Sequence, residues 1–173
     1  MIEQHQQSLP SRPVAQLTFQ SLSEYACAKM LEKYVGWKGI EGATFQISVG
    51  RAVYDFRIGD TFVEYHPISL RREFITDALK SIMSVANRLP RRDKLQLMEG
   101  MTEELKAQYA KRRGQTLAAH PAYSRMELVC VHSAEDFIEK VVKRFAVREV
   151  PSIGKAAQEF RLLQKAGKRL GIN

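Results

Sequence analysis

The length, composition and charge of this chain restrict the classes of protein to which it can belong. Its 173 residues are enough for one hydrophobic core, so one domain is expected. The residues are 45% apolar, yet no run of about 18 apolar residues offers a membrane-spanning helix. Two cysteines, Cys27 and Cys130, lie too far apart for a zinc motif or a disulfide framework. We therefore expect a soluble, cytoplasmic protein with reduced thiols and no membrane partner.

The net charge of +8 is confined to the second half of the chain. Residues 1–86 contain 9 Lys and Arg with 9 Asp and Glu, whereas residues 87–173 contain 18 with 10. A basic excess concentrated in one region favours a polyanionic partner, and nucleic acid is the commonest of these. Charge alone does not identify a reaction.

The first half of the chain predicts a helix followed by three strands. Residues 1–20 are polar, lack the pattern of a secretory signal and are expected to form a flexible tail. Ser21 and Glu24 have the spacing of a capping box, which predicts a helix from about residue 22 to 35. Alternating apolar and polar residues then predict strands over 44–49, 52–58 and 61–66, joined by two tight turns.

The second half predicts mainly helices. One helix is expected to reach about Leu89, and a second, after Pro90, to end at Gly114. A buried strand over 126–131 and a helix capped by Ser133 follow. The segment 151–173 predicts a basic amphipathic helix. Its apolar stripe suits docking either on the domain or on a second subunit, so a homodimer is one of two alternatives.

This order predicts an α/β fold, of the α+β kind with a mixed sheet. The main domain is expected to cover 21–150, between the tail over 1–20 and the C-terminal helix over 151–173.

The two tight turns predict how the strands pair. A two-residue turn at Gly59-Asp60 places Asp55 opposite Glu64, and a turn at Gly50-Arg51 places Gln46 beside Asp55. Side chains alternate along a strand, so the apolar residues are expected to share the other face, which would be the core. These are Phe45, Ile47, Tyr54, Phe56, Ile58, Val63 and Tyr65.

Two carboxylates opposite each other need an explanation. Their Cβ atoms would be about 4.5–5.5 Å apart, and like charges at that distance destabilise a sheet. A divalent cation such as Mg²⁺ offsets the repulsion, because it prefers one or two carboxylates together with water and phosphate oxygens. Alternatively, one carboxyl stays protonated, or Arg57 or Arg51 neutralises the pair. A solvated pair at the sheet edge, without a function, is the remaining interpretation.

The acidic residues and their order resemble the PD-(D/E)XK nuclease superfamily. Glu24 lies on the first helix, Asp55 on the second strand and Glu64-Tyr65-His66 on the third, so the resemblance covers roughly residues 21–132. Tyr54 stands where the signature has Pro, and His66 stands where it has Lys. The resemblance implies a restriction-endonuclease-like αβββαβ core, here with extra C-terminal helices.

The resemblance also implies an activity, namely metal-dependent hydrolysis of phosphodiester bonds in DNA by an endonuclease of the resolvase, homing or restriction type, with RNA left open. Asp55 and Glu64 would ligate Mg²⁺, with Mn²⁺ as an alternative, while Glu24 would bind through water or hold a second ion. His66 would take the role of the Lys as a base or hydrogen-bond donor, or would ligate the metal.

The alternatives are a structural hydrogen bond for His66 and helix capping for Glu24, with Glu32 as its substitute in the site. An inactive nucleic-acid-binding module on the same fold is the alternative function.

Two groups of basic residues are candidates for phosphate contacts. They are Arg88, Arg91 and Arg92 around Pro90, and Lys111, Arg112 and Arg113 near the end of the next predicted helix. The alternative is a solvated helix face, because glutamates are interleaved at helical spacing.

Overall fold

The computed structural model describes residues 19–38, 44–68 and 77–172. Most of the predicted tail therefore lies outside the described part of the chain, as does the start of the helix predicted after Ser69. Phe19, at the end of the predicted tail, packs its ring against Tyr25 and Phe45, with 5.3 Å between ring centroids in each pair. The packed part of the chain thus begins before residue 21.

The first helix, α1, covers Leu22–Met30 and continues as a π-helical segment over Leu31–Val35. The Ser21 hydroxyl oxygen accepts a hydrogen bond from the Glu24 amide at 3.1 Å, which satisfies one of the unpaired N–H groups at the helix start. Gly36, with φ of 69°, ends the segment in the left-handed conformation that glycine adopts without strain. The predicted helix over 22–35 and its cap are confirmed.

Four strands form one mixed sheet in the order β1-β2-β3-β4. They are β1 (Phe45–Val49), β2 (Ala52–Ile58), β3 (Thr61–Tyr65) and β4 (Glu127–Val131). The first three are antiparallel, and β4 lies parallel to β3. Ile58 pairs with Thr61, and Val49 pairs with Ala52, as the two tight turns predict. The predicted mixed α/β architecture is confirmed.

The helices follow the predicted order, with one difference in length. They are α2 (Asp77–Ala86), α3 (Arg91–Ala118), α4 (Ala134–Phe137), α5 (Lys143–Phe145) and α6 (Ile153–Arg169), with a π-helical segment over Ile138–Val142 between α4 and α5. The predicted end at Gly114 is wrong, because α3 continues to Ala118. Leu117 is 2% exposed, and burying a leucine stabilises by about 1.5–3 kcal/mol, more than the roughly 1 kcal/mol that an internal glycine costs. Among the helices that the structure describes, none is both long and apolar enough to cross a membrane.

Among the described residues, the buried apolar side chains form two clusters rather than one. The larger cluster joins α1, α6 and the segment after β4 to residues such as Phe56 and Val63 of the sheet. The smaller cluster contains Ile47, Val49, Tyr54, Phe62 and Leu117. The prediction of a single apolar face is therefore wrong for Ile47 and Tyr54.

A break in the alternation of β2 explains the second cluster. The rings of Tyr54 and Phe62 are 5.2 Å apart, although strict alternation from the Phe56–Val63 pair would put them on opposite faces. The break therefore lies at Asp55, between Tyr54 and Phe56. Gln46, expected beside Asp55 on β1, has φ of 48°, in the left-handed region. Local distortion of both strands thus turns part of the sheet toward α3.

The last helix packs on the body of its own domain. Ala156, Ala157 and Phe160 of α6 are buried in the larger cluster, and Tyr34 donates a hydrogen bond to Glu159 at 2.6 Å. The domain itself is thus a docking site of this helix. Cys27 and Cys130 are both free thiols.

Candidate active site

Asp55 lies where the ladder between β2 and β3 ends. The pairing of β2 with β3 runs from Ile58–Thr61 to Phe56–Val63, and beyond it the Tyr65 amide donates to the Asp55 Oδ2 atom at 2.7 Å. In an unbroken antiparallel ladder this amide would face a backbone carbonyl of β2. The Asp55 carboxyl takes the place of that backbone group, which positions it between the two strands.

Glu64, on the neighbouring strand, is only 6% exposed and has partners on both oxygens. Its Oε1 atom accepts a hydrogen bond from the Tyr109 hydroxyl, and its Oε2 atom accepts one from Arg113 Nη2 at 2.8 Å. Both partners come from α3, one helical turn apart. The arginine that neutralises the pair is therefore Arg113, and not Arg57 or Arg51 as the sequence suggested.

Arg113 is held closely in this site. Its side chain is 13% exposed, its Nη2 atom also donates to the Val53 carbonyl, and its guanidinium lies 4.0 Å from the centre of the Tyr54 ring. A guanidinium over an aromatic face is attracted by the ring electrons. Arg113 thus belongs to the carboxylate site rather than to an open basic surface.

Burial and the neighbouring Glu64 carboxylate raise the pKa of Asp55 from its ordinary value to about 8, while the Tyr65 amide acts in the opposite direction. The raised pKa favours the protonated form of the Asp55 carboxyl in the absence of a cation. An arginine beside Glu64 and a raised Asp55 pKa are two of the ways in which the repulsion can be offset.

The donor set of this site suits Mg²⁺, although it is small. In the described ranges, no group of three or more His, Cys, Asp or Glu side chains is arranged to hold a metal ion. Magnesium, however, commonly uses one or two carboxylates and takes its other oxygens from water and phosphate. A carboxylate has about four acceptor positions, so Tyr109 and Arg113 leave lone pairs on Glu64. Asp55 and Glu64 are the residues that would hold the ion.

Glu24 is brought close to the carboxylate pair and also has a structural role. It is 7% exposed, and its Oε2 atom accepts hydrogen bonds from the Gln20 amide at 2.7 Å and from Gln46 Nε2 at 3.4 Å. Its charge contributes to the raised pKa of Asp55. Glu32, the alternative acid, is exposed and forms an ion pair with Lys29 at 2.6 Å, so it lies outside the site.

His66 borders the site through Tyr109. The two rings are stacked, with centroids 4.1 Å apart and an interplanar angle of 3°. The His66 amide donates to the Val131 carbonyl at 2.9 Å, and the His66 carbonyl lies 2.6 Å from His132 Nδ1. These contacts fix His66 at the end of β3, beside the tyrosine that bonds to Glu64.

Sequence reasoning did not identify Tyr109 or His132, and it assigned Arg113 to phosphate contacts on the surface. The one-turn spacing of Tyr109 and Arg113 on a predicted helix was the available signal, because such residues share a helix face. Nothing in the local sequence indicates that this face meets Glu64.

The other basic candidates are exposed and divide into two groups. Arg88, Arg91 and Arg92 lie at one end of α3, and Lys111 and Arg112 lie near the site. From residue 91 to residue 113, at about 1.5 Å per residue, the helix spans about 33 Å. Arg112 also lines a cleft of about 500 Å³ between α3 and the β1–β2 turn, together with Thr116 and His120.

Comparisons of this chain with models of known protein families, with curated proteins and with solved structures found no match. The chemistry of the site is therefore argued from its own geometry.

Proposed function

We propose that this protein is a metal-dependent endonuclease that hydrolyses phosphodiester bonds in DNA, as a variant of the PD-(D/E)XK nucleases with His66 in the place of the usual Lys. The observation that carries the proposal is that the Asp55 carboxyl accepts a hydrogen bond from the amide of Tyr65, the residue next to buried Glu64, and that the Glu64 charge raises the pKa of Asp55. Keeping the half-buried Asp55 carboxyl near the buried Glu64 carboxyl is unfavourable for folding, so their retention points to a function. A hard cation is the ligand that makes their closeness useful.

Each residue of the site has a role in this proposal. A bound Mg²⁺ supplies a Lewis acid that polarises the phosphate and lowers the pKa of an attacking water. Asp55 and Glu64 hold the ion, and the Tyr109 hydroxyl orients Glu64. His66, positioned by its stack on Tyr109, is the candidate to accept or donate a proton at its ring nitrogen. Glu24 adds negative charge beside Asp55.

The basic residues of α3 support DNA as the substrate. The two groups, residues 91 and 92 and residues 111 and 112, are about 30 Å apart along the helix, somewhat less than the roughly 34 Å of one turn of duplex DNA. Phosphates one turn apart could therefore be contacted by a single helix. A homodimer would supply a second site for the second strand.

An inactive nucleic-acid-binding module is the second candidate. The ion pair between Arg113 and Glu64 is the observation that favours it, because an arginine satisfies the carboxylate without a metal. This function keeps the basic surface of α3 and needs no cleavage.

Cleavage assays test the proposal. Supercoiled and branched DNA would be incubated with the protein and Mg²⁺ or Mn²⁺, with EDTA as the metal-free control. We expect metal-dependent cutting, and Asp55→Asn should slow it about a thousandfold, because metal-ion stabilisation is worth several kcal/mol and about 1.36 kcal/mol is a tenfold change in rate.

Asp60→Asn is the matched control, since Asp60 is exposed in the turn of the same hairpin. It should cut at the parent rate. Equal rates for the two variants would remove Asp55 from the mechanism. DNA binding without cutting by the parent protein would leave the inactive binding module as the function.

A further inference from the structure

Not all hydrogen-bond donors of the Arg113 guanidinium have a partner in the site. Its Nη2 atom bonds to Glu64 and to the Val53 carbonyl, but its Nε atom is buried and has no hydrogen-bond partner among the described residues. A guanidinium carries five N–H donors in a planar fork that matches two oxygens of a carboxylate or a phosphate. The Glu64 pairing uses only the Nη2 atom of this fork, so the buried Nε donor is left for another acceptor.

The backbone of Arg113 is fixed, while its side chain is long. The Tyr54 hydroxyl donates to the Arg113 carbonyl at 2.6 Å, and buried Leu117 anchors the next turn of α3. The guanidinium itself is held to the sheet by one ion pair, one carbonyl and the face of the Tyr54 ring. The guanidinium can therefore change partners without movement of the helix.

A cation at Asp55 and Glu64 would compete with Arg113 for the same carboxylate. Two positive groups on one buried oxygen pair repel each other, so binding of the ion weakens the arginine's hold on Glu64. A phosphodiester that arrives with the ion offers the displaced guanidinium a planar, bidentate acceptor. Release from Glu64 and capture of phosphate are therefore steps in one exchange.

We propose that Arg113 is an exchangeable counter-ion, which occupies Glu64 in the free protein and moves to a DNA phosphate when the cation binds. This inference rests on the proposed function, since it assumes that the carboxylate pair takes a metal. Its consequence is that metal and DNA strengthen each other's binding by the same factor, as linkage requires. The free protein then holds its metal weakly until DNA is present.

The first test measures metal affinity without DNA. The paramagnetic signal of free Mn²⁺ would be followed as each full-length protein is titrated. Arg113→Gln should bind Mn²⁺ about tenfold more tightly than the parent, because the competing charge is gone. Arg112→Gln, which removes the same charge from the adjacent exposed residue, should bind as the parent does.

The second test measures the affinity of a fluorescent duplex with Ca²⁺ or with EDTA. Ca²⁺ takes the same oxygen ligands, and it should strengthen DNA binding by the parent about tenfold. In Arg113→Gln this gain should be smaller, because only the direct contact between the ion and the phosphate remains. Arg112→Gln should lose affinity equally in both conditions. If Arg113 only repels the metal and does not move to DNA, Arg113→Gln should lose DNA affinity equally with Ca²⁺ and with EDTA. That result would overturn the inference.

Two further outcomes are decisive. If Arg113→Gln binds Mn²⁺ no more tightly than Arg112→Gln does, the proposed exchange is wrong, even if the parent cuts DNA. Tighter Mn²⁺ binding by Arg113→Gln, together with a gain from Ca²⁺ that is present in the parent and reduced in Arg113→Gln, upholds it, even if no DNA is cut and the nuclease proposal fails. If Arg113→Gln does not fold, Arg113→Lys replaces it. Lysine lacks the fork, so both effects should appear in weaker form, and parent behaviour in both tests would contradict the inference.

Discussion

The carboxyl of Asp55 is the most unusual single group in the described structure. It replaces a backbone partner in the ladder by accepting from the Tyr65 amide, and it does so near a buried acid, Glu64. Burial raises the pKa of Asp55 to about 8, with Glu64 as the second cause. The folded protein therefore holds a proton there that the unfolded chain releases at the ordinary carboxyl pKa of 3.8.

This shift makes the stability of the metal-free protein depend on pH. Between about pH 4 and about pH 8 the folded state binds the Asp55 proton and the unfolded state does not, so the free energy of unfolding falls as pH rises through that window. Asp55→Asn keeps an acceptor for the Tyr65 amide and has no proton to lose. We expect its melting temperature in EDTA to fall less than that of the parent between about pH 5 and about pH 9.

Because other groups titrate in both proteins, the difference between the two curves is the measurement. Asp60→Asn, which changes an exposed carboxyl of the same hairpin, should follow the parent. Parallel curves for Asp55→Asn and the parent would show that the Asp55 pKa is not raised.

At the scale of elements, α6 packs closely against α1, the helix that carries Glu24. Gly167 of α6 lies against α1 so closely that an added Cβ atom would be 2.9 Å from Tyr25 Cδ1 and 3.2 Å from Leu22 Cδ2. The Tyr25 ring is itself packed against Phe19. Since α1 also carries Glu24, this contact helps to set the distance between that residue and the sheet.

Two glycines of the same helix give opposite predictions. Gly167→Ala should lower the free energy of unfolding by about 1–3 kcal/mol, because the methyl group meets a ring that has little room to move. Gly154→Ala should be neutral or raise it by about 0.4–1 kcal/mol, because no atom lies within 4 Å of the added Cβ and alanine restricts the unfolded chain. Urea unfolding measures both. A Gly167→Ala variant as stable as Gly154→Ala would mean that α1 and α6 pack less closely.

At the scale of the whole molecule, charge is distributed unevenly between the site and the surface. Arg113 is committed to Glu64, while Arg88, Arg91 and Arg92 are exposed about 33 Å away along α3. A duplex placed on the site would reach the distant group only if it runs along this helix. The salt dependence of DNA binding reports whether it does.

Replacing both Arg91 and Arg92 with Gln tests that placement. Each phosphate contact adds about 0.9 to the slope of log affinity against log salt, so the double variant should lower the slope by about 2. The double replacement of Lys155 and Lys165 on α6 removes equal charge elsewhere and should leave the slope unchanged. Equal slopes for the parent and the α3 variant would show that the duplex does not follow α3.

Local physical rules were enough to predict the strand meander from the sequence. Tight two-residue turns at Gly50-Arg51 and Gly59-Asp60 determine the pairing of β1 with β2 and of β2 with β3, and Ser21 and Ser133 determine where two helices begin. These features depend on residues that are close together along the chain. The pairing of the strands follows from them, whereas the β2–β3 ladder ends at Phe56–Val63, one pair before the predicted opposition of Asp55 and Glu64.

Only the tertiary structure decided what surrounds those carboxylates. Tyr109 and Arg113 are 45 and 49 residues from Glu64 along the chain, and their contacts with it depend on how the far half of α3 packs on the sheet. The same packing extends α3 beyond Gly114 and turns Tyr54 toward Phe62. Alternation and helix propensity describe neighbours in sequence, whereas burial of Leu117 and Tyr54 depends on distant segments that meet only in the folded chain.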